Sequence, residues 1–294
     1  MALFDAPLLL DGGLGTHLET RGHDISGPLW SARILREVPE EIQAAHADFF
    51  AAGAHVATTA SYQVTFDALG EEAESLLRRS VSLARAAAGK HLVAASIGPY
   101  GAGPGEGTDY DGAYGLSRSE LHRWHDRRVA VLADTDADFL LAETIPNVDE
   151  AAALLELLSD QPKPFALSIT GAIAESPAKL EQVLELVSAF PRLGALGVNC
   201  VSAPEALRVV EALHKGTDKP LLAYPNSGET WDHAARQWRR AASGEPGLIE
   251  TVPALREAGV TLLGGCCRVG PDLLSQLAYD FKKPAKEGRC TDAL

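Results

Sequence analysis

The sequence predicts an α/β protein of the (β/α)8 class, a TIM barrel folded as a single domain. Short, nearly uninterrupted apolar runs alternate eight times with longer segments of helical periodicity. Such runs are typical of parallel strands that are buried on both faces. The chain has 294 residues, which suits a closed barrel, whereas an open sheet of eight strand–helix units would be unusually wide.

The predicted elements follow in order along the chain. The strands, which share a high content of apolar residues, are 8–10, 55–60, 92–97, 138–142, 165–169, 195–199, 220–223 and 260–263. The helices, which share apolar residues at spacings of three and four, are 40–52, 73–88, 118–133, 148–158, 177–190, 204–213, 248–258 and 271–281.

Local signals support several of these boundaries. Gly53 and Gly89 each end a helix. Ser117, with Glu120 three residues later, forms the pattern of a capping box. The loop 101–115 is rich in Gly and Tyr and is long enough for a functional lid. We expect a core of about 8–281 and a loose, polar tail at 282–294.

Composition narrows the range of functions. Hydrophobic residues make up 46% and charged residues 22% of the chain, as in an ordinary globular domain. The formal net charge of -14 disfavours a nucleic-acid partner, which requires a basic surface. No apolar run approaches the roughly 20 residues of a membrane helix, and the N-terminus lacks the basic region of a secretory signal. We therefore expect a cytoplasmic protein with small-molecule partners.

Three of the four cysteines lie where predicted strands end. Cys200 ends the sixth strand, and Cys266 and Cys267 follow the eighth after two glycines. Active sites of such barrels lie at the carboxyl ends of the strands, so these thiols are expected on one rim. Three thiolates form a soft, anionic pocket that suits zinc and leaves a fourth position open. The alternative is that they are small buried hydrophobic side chains.

Several other polar residues belong to the same rim. Asp11 follows the first strand and leads into Gly12 and Gly13, Thr59 lies at the end of the second strand, and Glu143 at the end of the fourth. The glycine pattern superficially resembles a phosphate loop, but it lacks the Lys and Ser or Thr of that motif. The structural alternative to a functional role is that Asp11 only caps its turn and that Glu143 pairs with a structural arginine.

Seven segments, in the order of the family, resemble the homocysteine S-methyltransferases. They are Asp11-Gly12-Gly13, Pro28-Leu29-Trp30-Ser31, Thr59-Ala60-Ser61-Tyr62-Gln63, Glu143-Thr144-Ile145-Pro146, Gly197-Val198-Asn199-Cys200, Pro225-Asn226-Ser227-Gly228-Glu229 and Gly264-Gly265-Cys266-Cys267-Arg268. The resemblance extends over about 8–280 and is greatest to the short members that use S-methylmethionine or S-adenosylmethionine. The combination of the two cysteine motifs is highly specific.

The resemblance implies that Cys200, Cys266 and Cys267 hold one Zn2+ per chain. The sulfur of homocysteine would be the fourth ligand and would attack the methyl group of a sulfonium donor. Glu143 would bind the homocysteine ammonium, and Asp11, Gly12, Gly13 and Thr59 would hold its amino-acid end. Aromatic faces suit a sulfonium cation, and the candidates are Trp30, Tyr62, Tyr110 and Tyr114. Asn226 is a further substrate-binding candidate, and like Glu229 it has loop shaping as its alternative.

One segment departs from the family pattern. Residues 169–173, after the fifth strand, are short and lack the acidic residues usual there, so the donor is left open. Two other functions remain alternatives: methylation of another thiol or of a selenol such as selenohomocysteine, and a non-catalytic zinc- or redox-responsive barrel. A monomer is expected, with a dimer as the alternative. His122 and His125, on an outer helix, are expected on a solvated face, and Cys290 in the tail is expected to have no role.

Overall fold

The computed structural model describes residues 3–25, 30–102, 108–232, 237–239 and 246–282. Its ten strands are β1 Leu8–Leu9, β2 Val56–Thr58, β3 Leu92–Ile97, β4 Phe139–Ile145, β5 Phe165–Ile169, β6 Leu193–Asn199, β7 Leu221–Tyr224, β8 Thr230–Asp232, β9 Gln237–Arg239 and β10 Val260–Leu263. Eight of them form one parallel sheet in the order β1-β10-β7-β6-β5-β4-β3-β2, while β8 and β9 form a separate antiparallel hairpin.

The sheet closes on itself where β1 meets β2. Leu10 and Val56 form a parallel bridge beyond the end of β1. The N–H of Asp11 donates to Val56 O at 3.0 Å, and the N–H of His55 donates to Leu9 O at 2.7 Å. Because both edges of the sheet are thereby paired, the predicted (β/α)8 barrel is confirmed.

Helices surround the barrel. They are α1 Leu14–Thr20, α2 Trp30–Glu37, α3 Pro39–Ala51, α4 Phe66–Leu69, α5 Glu72–Ala88, α6 Arg118–Ala133, α7 Val148–Ser159, α8 Gly171–Ala174, α9 Pro177–Ser188, α10 Ala203–His214, α11 Leu248–Glu257 and α12 Pro271–Lys282. The predicted capping box at the start of α6 is present, with Ser117 and Glu120 bonding to each other's backbone N–H. None of the described helices is long and apolar enough to span a bilayer.

The structure corrects the sequence prediction at several elements. Helices α1 and α2 and the β8–β9 hairpin were not predicted, because their segments are short and rich in polar residues. Strand β4 continues to Ile145, so Glu143 lies within a strand instead of after one. The expected solvated face is wrong for His125, which is completely buried, because its Nε2 lies 2.9 Å from Glu150 Oε1 on the neighbouring α7.

Two apolar layers position the site. The larger layer lies between the sheet and the helices, and the smaller fills the interior of the barrel. At the amino-terminal end of the interior, the ring of Phe4 packs edge-on against Phe139 with 5.1 Å between ring centroids. Since side chains fill this end, the polar cavity described below lies at the opposite, carboxyl end, as is usual for such barrels. Of the predicted tail at 282–294, Lys282 ends α12, and residues 283–294, with Cys290, lie outside the described residues.

Candidate metal and substrate site

The structure brings the three cysteines together at the carboxyl end of the barrel. Their sulfur atoms all lie within 4.8 Å of one another, and Cys200 Sγ is 3.6 Å from Cys267 Sγ. The end of β7, which lies between β6 and β10, aligns them through the backbone. The N–H of Cys200 donates to Tyr224 O at 3.3 Å, and the N–H of Cys266 donates to Pro225 O at 2.8 Å.

The backbone around this cluster adopts unusual conformations. Thr144, Cys200 and Arg268 have φ angles of 59°, 56° and 65°, in the left-handed region that non-glycine residues seldom occupy. Asn199 stabilises Thr144 by accepting from its N–H at 2.9 Å and by donating to its Oγ1 at 2.8 Å. Strained residues of this kind concentrate at functional sites, where surrounding contacts hold them in place.

Hydrogen bonds among the three thiols favour the deprotonated form of Cys200. The thiols of Cys266 and Cys267 hydrogen-bond to Cys200 and lower the pKa of its thiol well below the usual value. The same bonds raise the pKa of the two donor thiols. A divalent cation would replace those protons, and a donor set of three sulfurs fits a soft cation such as zinc better than magnesium or calcium.

Two buried carboxylates, those of Asp11 and Glu143, line the same cavity as the sulfurs. Glu143 accepts a hydrogen bond from Ser96 Oγ and another from Tyr224 Oη at 3.1 Å, and burial raises its pKa to about 7. Asp11 accepts from the N–H of Thr58 at 2.8 Å, and burial raises its pKa to about 8. A carboxylate with such a pKa favours a cationic ligand, since the cation restores its charged form.

One cavity contains both groups. It is lined by residues from the turn after β1, from α1, from α2, from the loops after β2 and β3, and from the ends of the later strands: Asp11, Gly12, Gly13, Leu14, Gly15, Thr16, Ser31, Thr58, Thr59, Ala60, Tyr62, Gln63, Asp109, Tyr110, Glu143, Thr144, Cys200, Tyr224, Gly265, Cys266 and Cys267. None of these described residues is a lysine or an arginine. Most of the sites predicted from the sequence therefore share one cavity, and no lysine or arginine contributes to the part of its lining that the structure describes.

Gly12 and Gly13 have a steric role in this cavity. A Cβ atom at Gly12 would lie 2.0 Å from Val269 O, and one at Gly13 would lie 2.5 Å from Cys266 O. The N–H of Gly13 donates to Val269 O at 3.0 Å. The two glycines thus allow the turn after β1 to approach the loop that carries Cys266.

Four of the predicted residues lie differently from the others. Asn226 does not line the cavity, and its Oδ1 accepts from the N–H of Cys267 at 3.0 Å, which favours its alternative role in shaping the loop. Glu229 pairs with Arg268 at 2.7 Å. The Tyr114 ring packs against Tyr100 outside the cavity lining. The backbone of Trp30 begins α2, but its side chain lies outside the described residues.

Sequence reasoning missed several residues that contact the site. Ser96 and Tyr224 hold Glu143, and Asn199 holds Thr144. A polar residue inside an apolar strand, such as Ser96 in β3, is the signal that was available for them. His46 had no such signal: it is fully buried on α3, and its Nδ1 lies 3.9 Å from Asp11 Oδ2.

The fold and site define a class: a (β/α)8 barrel whose carboxyl end combines three convergent thiols with buried acids. The family model described as homocysteine S-methyltransferase matches residues 8–280. The homocysteine S-methyltransferase of Escherichia coli (strain K12) is 40% identical over 285 residues, covering 90% of this chain and 92% of the relative. The selenocysteine Se-methyltransferase of Brassica oleracea var. italica is 38% identical over 295 residues, covering 90% and 85%.

Solved structures agree with these relatives. The metallated form of the homocysteine methyltransferase MmuM from Escherichia coli has a TM-score of 0.81 and 37% sequence identity, covering 94% of this chain and 96% of that one. The oxidized form also has a TM-score of 0.81, at 38% identity, covering 93% and 95%. The chain is therefore an enzyme of the homocysteine S-methyltransferase family, and the resemblance predicted from its sequence is confirmed.

Proposed function

We propose that this enzyme transfers a methyl group from a sulfonium donor, S-methylmethionine or S-adenosylmethionine, to the thiol of L-homocysteine, and that it uses one zinc ion per chain. The observation that carries the proposal is the convergence of three sulfur atoms within 4.8 Å, in a cavity that also contains Asp11 and Glu143. The names of the family and of its relatives support the acceptor and the reaction.

Cys200, Cys266 and Cys267 would hold the metal. When bound there, zinc lowers the pKa of a thiol that completes its coordination, so that the thiolate is present at neutral pH. A free thiol has a pKa of about 8.5 and is mostly protonated at pH 7. The metallated form reported for the related Escherichia coli enzyme supports a metal in this site, and the all-sulfur donor set favours zinc.

Glu143 and Asp11 would bind the ammonium group of homocysteine. Both are almost completely buried, with 7% and 2% exposure, and each has a pKa raised by burial. An ammonium between them would favour their ionised forms and gain charge-assisted hydrogen bonds. Thr59 and the turn at Gly12 and Gly13 line the same cavity and would hold the rest of the amino-acid end.

The residues around the cavity would orient the donor and limit water. Tyr62 and Tyr110 line the cavity, and aromatic faces attract a sulfonium, which is a cation without hydrogen-bond donors. In the transfer, a lone pair of the homocysteine sulfur forms the new S–CH3 bond while the S–CH3 bond of the sulfonium breaks. The negative and positive charges cancel, so a cavity that excludes water favours the step. No protein base is required once the thiol proton has gone.

A donor panel tests the proposal. Homocysteine is held constant, S-methylmethionine and S-adenosylmethionine are supplied separately, and the methylated product is identified by mass. Metal content is measured on the wild type and on Cys200→Ser. We expect methionine, about one zinc per chain in the wild type, and loss of zinc and activity in the variant. Zinc-independent turnover, or full activity in Cys200→Ser, would refute the zinc site.

An acceptor panel separates the alternatives. The 38% identical selenocysteine Se-methyltransferase favours a second acceptor class, because a selenol presents the same soft, ionisable atom to the site. Homocysteine, selenohomocysteine and selenocysteine are therefore compared at a fixed donor. Higher kcat/KM for a selenol would change the assigned substrate, and no product with any pair in a zinc-loaded protein would favour the non-catalytic alternative. The predicted monomer is checked separately by sedimentation.

A further inference from the structure

A tyrosine from one loop contacts a cysteine from another strand. Tyr110 lies in the loop after β3, whereas Cys200 follows β6, and Tyr110 Oη is 3.1 Å from Cys200 Sγ. Either atom can donate while Cys200 carries its own proton. A cysteine that binds a metal is a thiolate without a proton, so in a metal-bound site the Tyr110 hydroxyl would be the donor and Cys200 Sγ the acceptor.

The backbone at Tyr110 packs closely against the segment that follows β5. The N–H of Ala172 donates to Tyr110 O at 2.9 Å. Gly171 has a φ angle of +42°, and a Cβ atom there would lie 2.0 Å from the same oxygen. Asn147 Nδ2 donates to Gly112 O at 2.8 Å. The loop that carries Tyr110 thus packs against the short segment after β5. This is the segment that departs from the usual family pattern.

Few other polar side chains approach the sulfurs. Among the described residues, Asn199 Nδ2 lies 4.0 Å from Cys266 Sγ, but the same amide already donates to Thr144 Oγ1 at 2.8 Å. The side-chain hydroxyls of Thr59 and Ser96 are engaged with Ser61 and Glu143. Tyr110, in contrast, is a neutral hydrogen-bond donor, and its hydroxyl lies 3.1 Å from Cys200 Sγ.

We propose that Tyr110 is a positioning residue for the metal site, whose hydroxyl donates to the Cys200 thiolate and so helps to retain the metal. This inference rests on the proposed zinc role of the three cysteines. Three thiolates and a divalent cation together carry one net negative charge in a buried site. A neutral donor stabilises that charge without competing for the metal, and loss of such a supporting partner typically lowers metal affinity about 10–100-fold.

The experiment compares Tyr110→Phe with the wild type in zinc affinity, measured by competition with a chromophoric chelator. Phenylalanine keeps the aromatic face and removes only the hydroxyl. We expect zinc binding that is weaker by about 10–100-fold. Tyr100→Phe is the matched control, because Tyr100 lies nearby and its ring packs against Tyr114 and Trp124. Its zinc affinity should equal that of the wild type.

Gly171→Ala provides an independent way to remove the contact. The added methyl group would displace the Tyr110 backbone, so this variant should also lose zinc affinity while retaining every sulfur ligand. Cobalt-loaded proteins give a readout apart from activity: without the hydrogen bond, the sulfur-to-cobalt absorption should move to longer wavelength. Thermal melts of the metal-free proteins check that each variant folds.

The outcomes separate the two proposals. A wild type that binds no zinc would refute the proposed function itself. Equal zinc affinity and equal cobalt spectra in the wild type and Tyr110→Phe would overturn only the role of Tyr110. Should Tyr110→Phe not fold without metal, Gly171→Ala decides: an unchanged zinc affinity in that variant overturns the inference.

Discussion

Two groups of ionisable side chains are buried in this barrel, and they differ in whether they contain their own opposite charges. The first lies at the carboxyl end and includes Asp11 and Glu143, beside the cysteines. The second lies between α6 and α7 and consists of His125, Arg128 and Glu150, which are at most 1% exposed. Both are hidden from water to a similar degree, so burial alone does not distinguish them.

The second group contains ionisable side chains of both signs. Glu150 Oε1 lies 2.9 Å from His125 Nε2 and accepts from the N–H of Tyr100 at 2.5 Å. Arg128 donates to Gly98 O. Burial lowers the pKa of Arg128 to about 10, while the nearby Glu150 charge raises it, so this guanidinium stays charged at neutral pH. These contacts hold the start of the loop after β3 against the helices.

The first group has no such partner among the described residues that line the cavity. Its acids therefore have raised pKa values, and its thiols share protons with one another. This difference suggests a rule for buried charges. A buried charge that lies near an opposite charge indicates a structural role, whereas a buried acid with no opposite charge nearby indicates a binding site for a cationic ligand. The same chemical change made in each group tests this distinction.

The largest expected effect on activity is from Glu143→Gln. The substitution keeps the shape of the side chain and removes the charge that would meet the homocysteine ammonium. A hydrogen bond to a charged group contributes about 1.5–3 kcal/mol, so kcat/KM for homocysteine should fall about 10–100-fold, mainly through KM. Steady-state kinetics with each substrate varied in turn measure this effect. An unchanged KM for homocysteine would remove Glu143 from substrate binding.

Glu150→Gln is the matched change in the second group. It removes the negative charge near buried Arg128 and weakens the contacts that Glu150 makes with His125 and the N–H of Tyr100, which should cost about 1–3 kcal/mol. We expect a lower free energy of unfolding in denaturant and an unchanged KM for homocysteine. The comparison between the two groups fails if Glu150→Gln weakens substrate binding and leaves stability at the wild-type value.

The pH dependence of stability is the next effect in size. Because folding raises the pKa of Asp11 to about 8 and that of Glu143 to about 7, the folded protein binds more protons than the unfolded chain between about pH 4 and those values. Stability from these groups is therefore present at low pH and is lost as pH rises from about 4 to 8, by up to about 1.4 kcal/mol per pH unit for each group.

Urea unfolding of the metal-free protein at pH 5, 6, 7 and 8 measures this slope. Glu143→Gln should flatten it between pH 5 and 7, whereas Glu150→Gln should lower the whole curve and leave its slope in place. The pKa values of buried His46 and His125 are lowered to about 4, so these groups add stability as pH rises to about 6.5 and oppose the slope from the acids. The test is therefore the difference between the wild type and Glu143→Gln, and equal slopes in the two proteins would show that Glu143 keeps an ordinary pKa in the folded protein.

The two groups also differ in how well the sequence predicted them. Strand ends are local features, so the rim positions of Asp11 and Cys200 followed from apolar runs and glycines. His125 was expected in solvent because the helical pattern treats histidine as polar, and its partner Glu150 lies on another helix. The contact between Tyr110 and Cys200 likewise joins distant loops, and neither local propensity nor spacing contains that information.

The smallest predicted effect concerns Asn147, which connects the two groups. Its Oδ1 caps α7 by accepting from the N–H of Glu150 at 3.1 Å, and its Nδ2 donates to Gly112 O at 2.8 Å. Asn147→Ala should lower stability by about 1 kcal/mol through loss of the cap. Asn147→Asp keeps the cap and loses only the contact to Gly112, so its global stability should remain near that of the wild type.

Hydrogen exchange of residues 108–112 then distinguishes the two roles. Both variants should exchange faster in this segment than the wild type, because both lose the donor to Gly112 O. Only Asn147→Ala should also unfold at lower denaturant concentration. If Asn147→Asp exchanges at the wild-type rate, the position of the Tyr110 loop depends on its contacts with Gly171 and Ala172 alone. The second group would then influence the metal site only through the cap of α7.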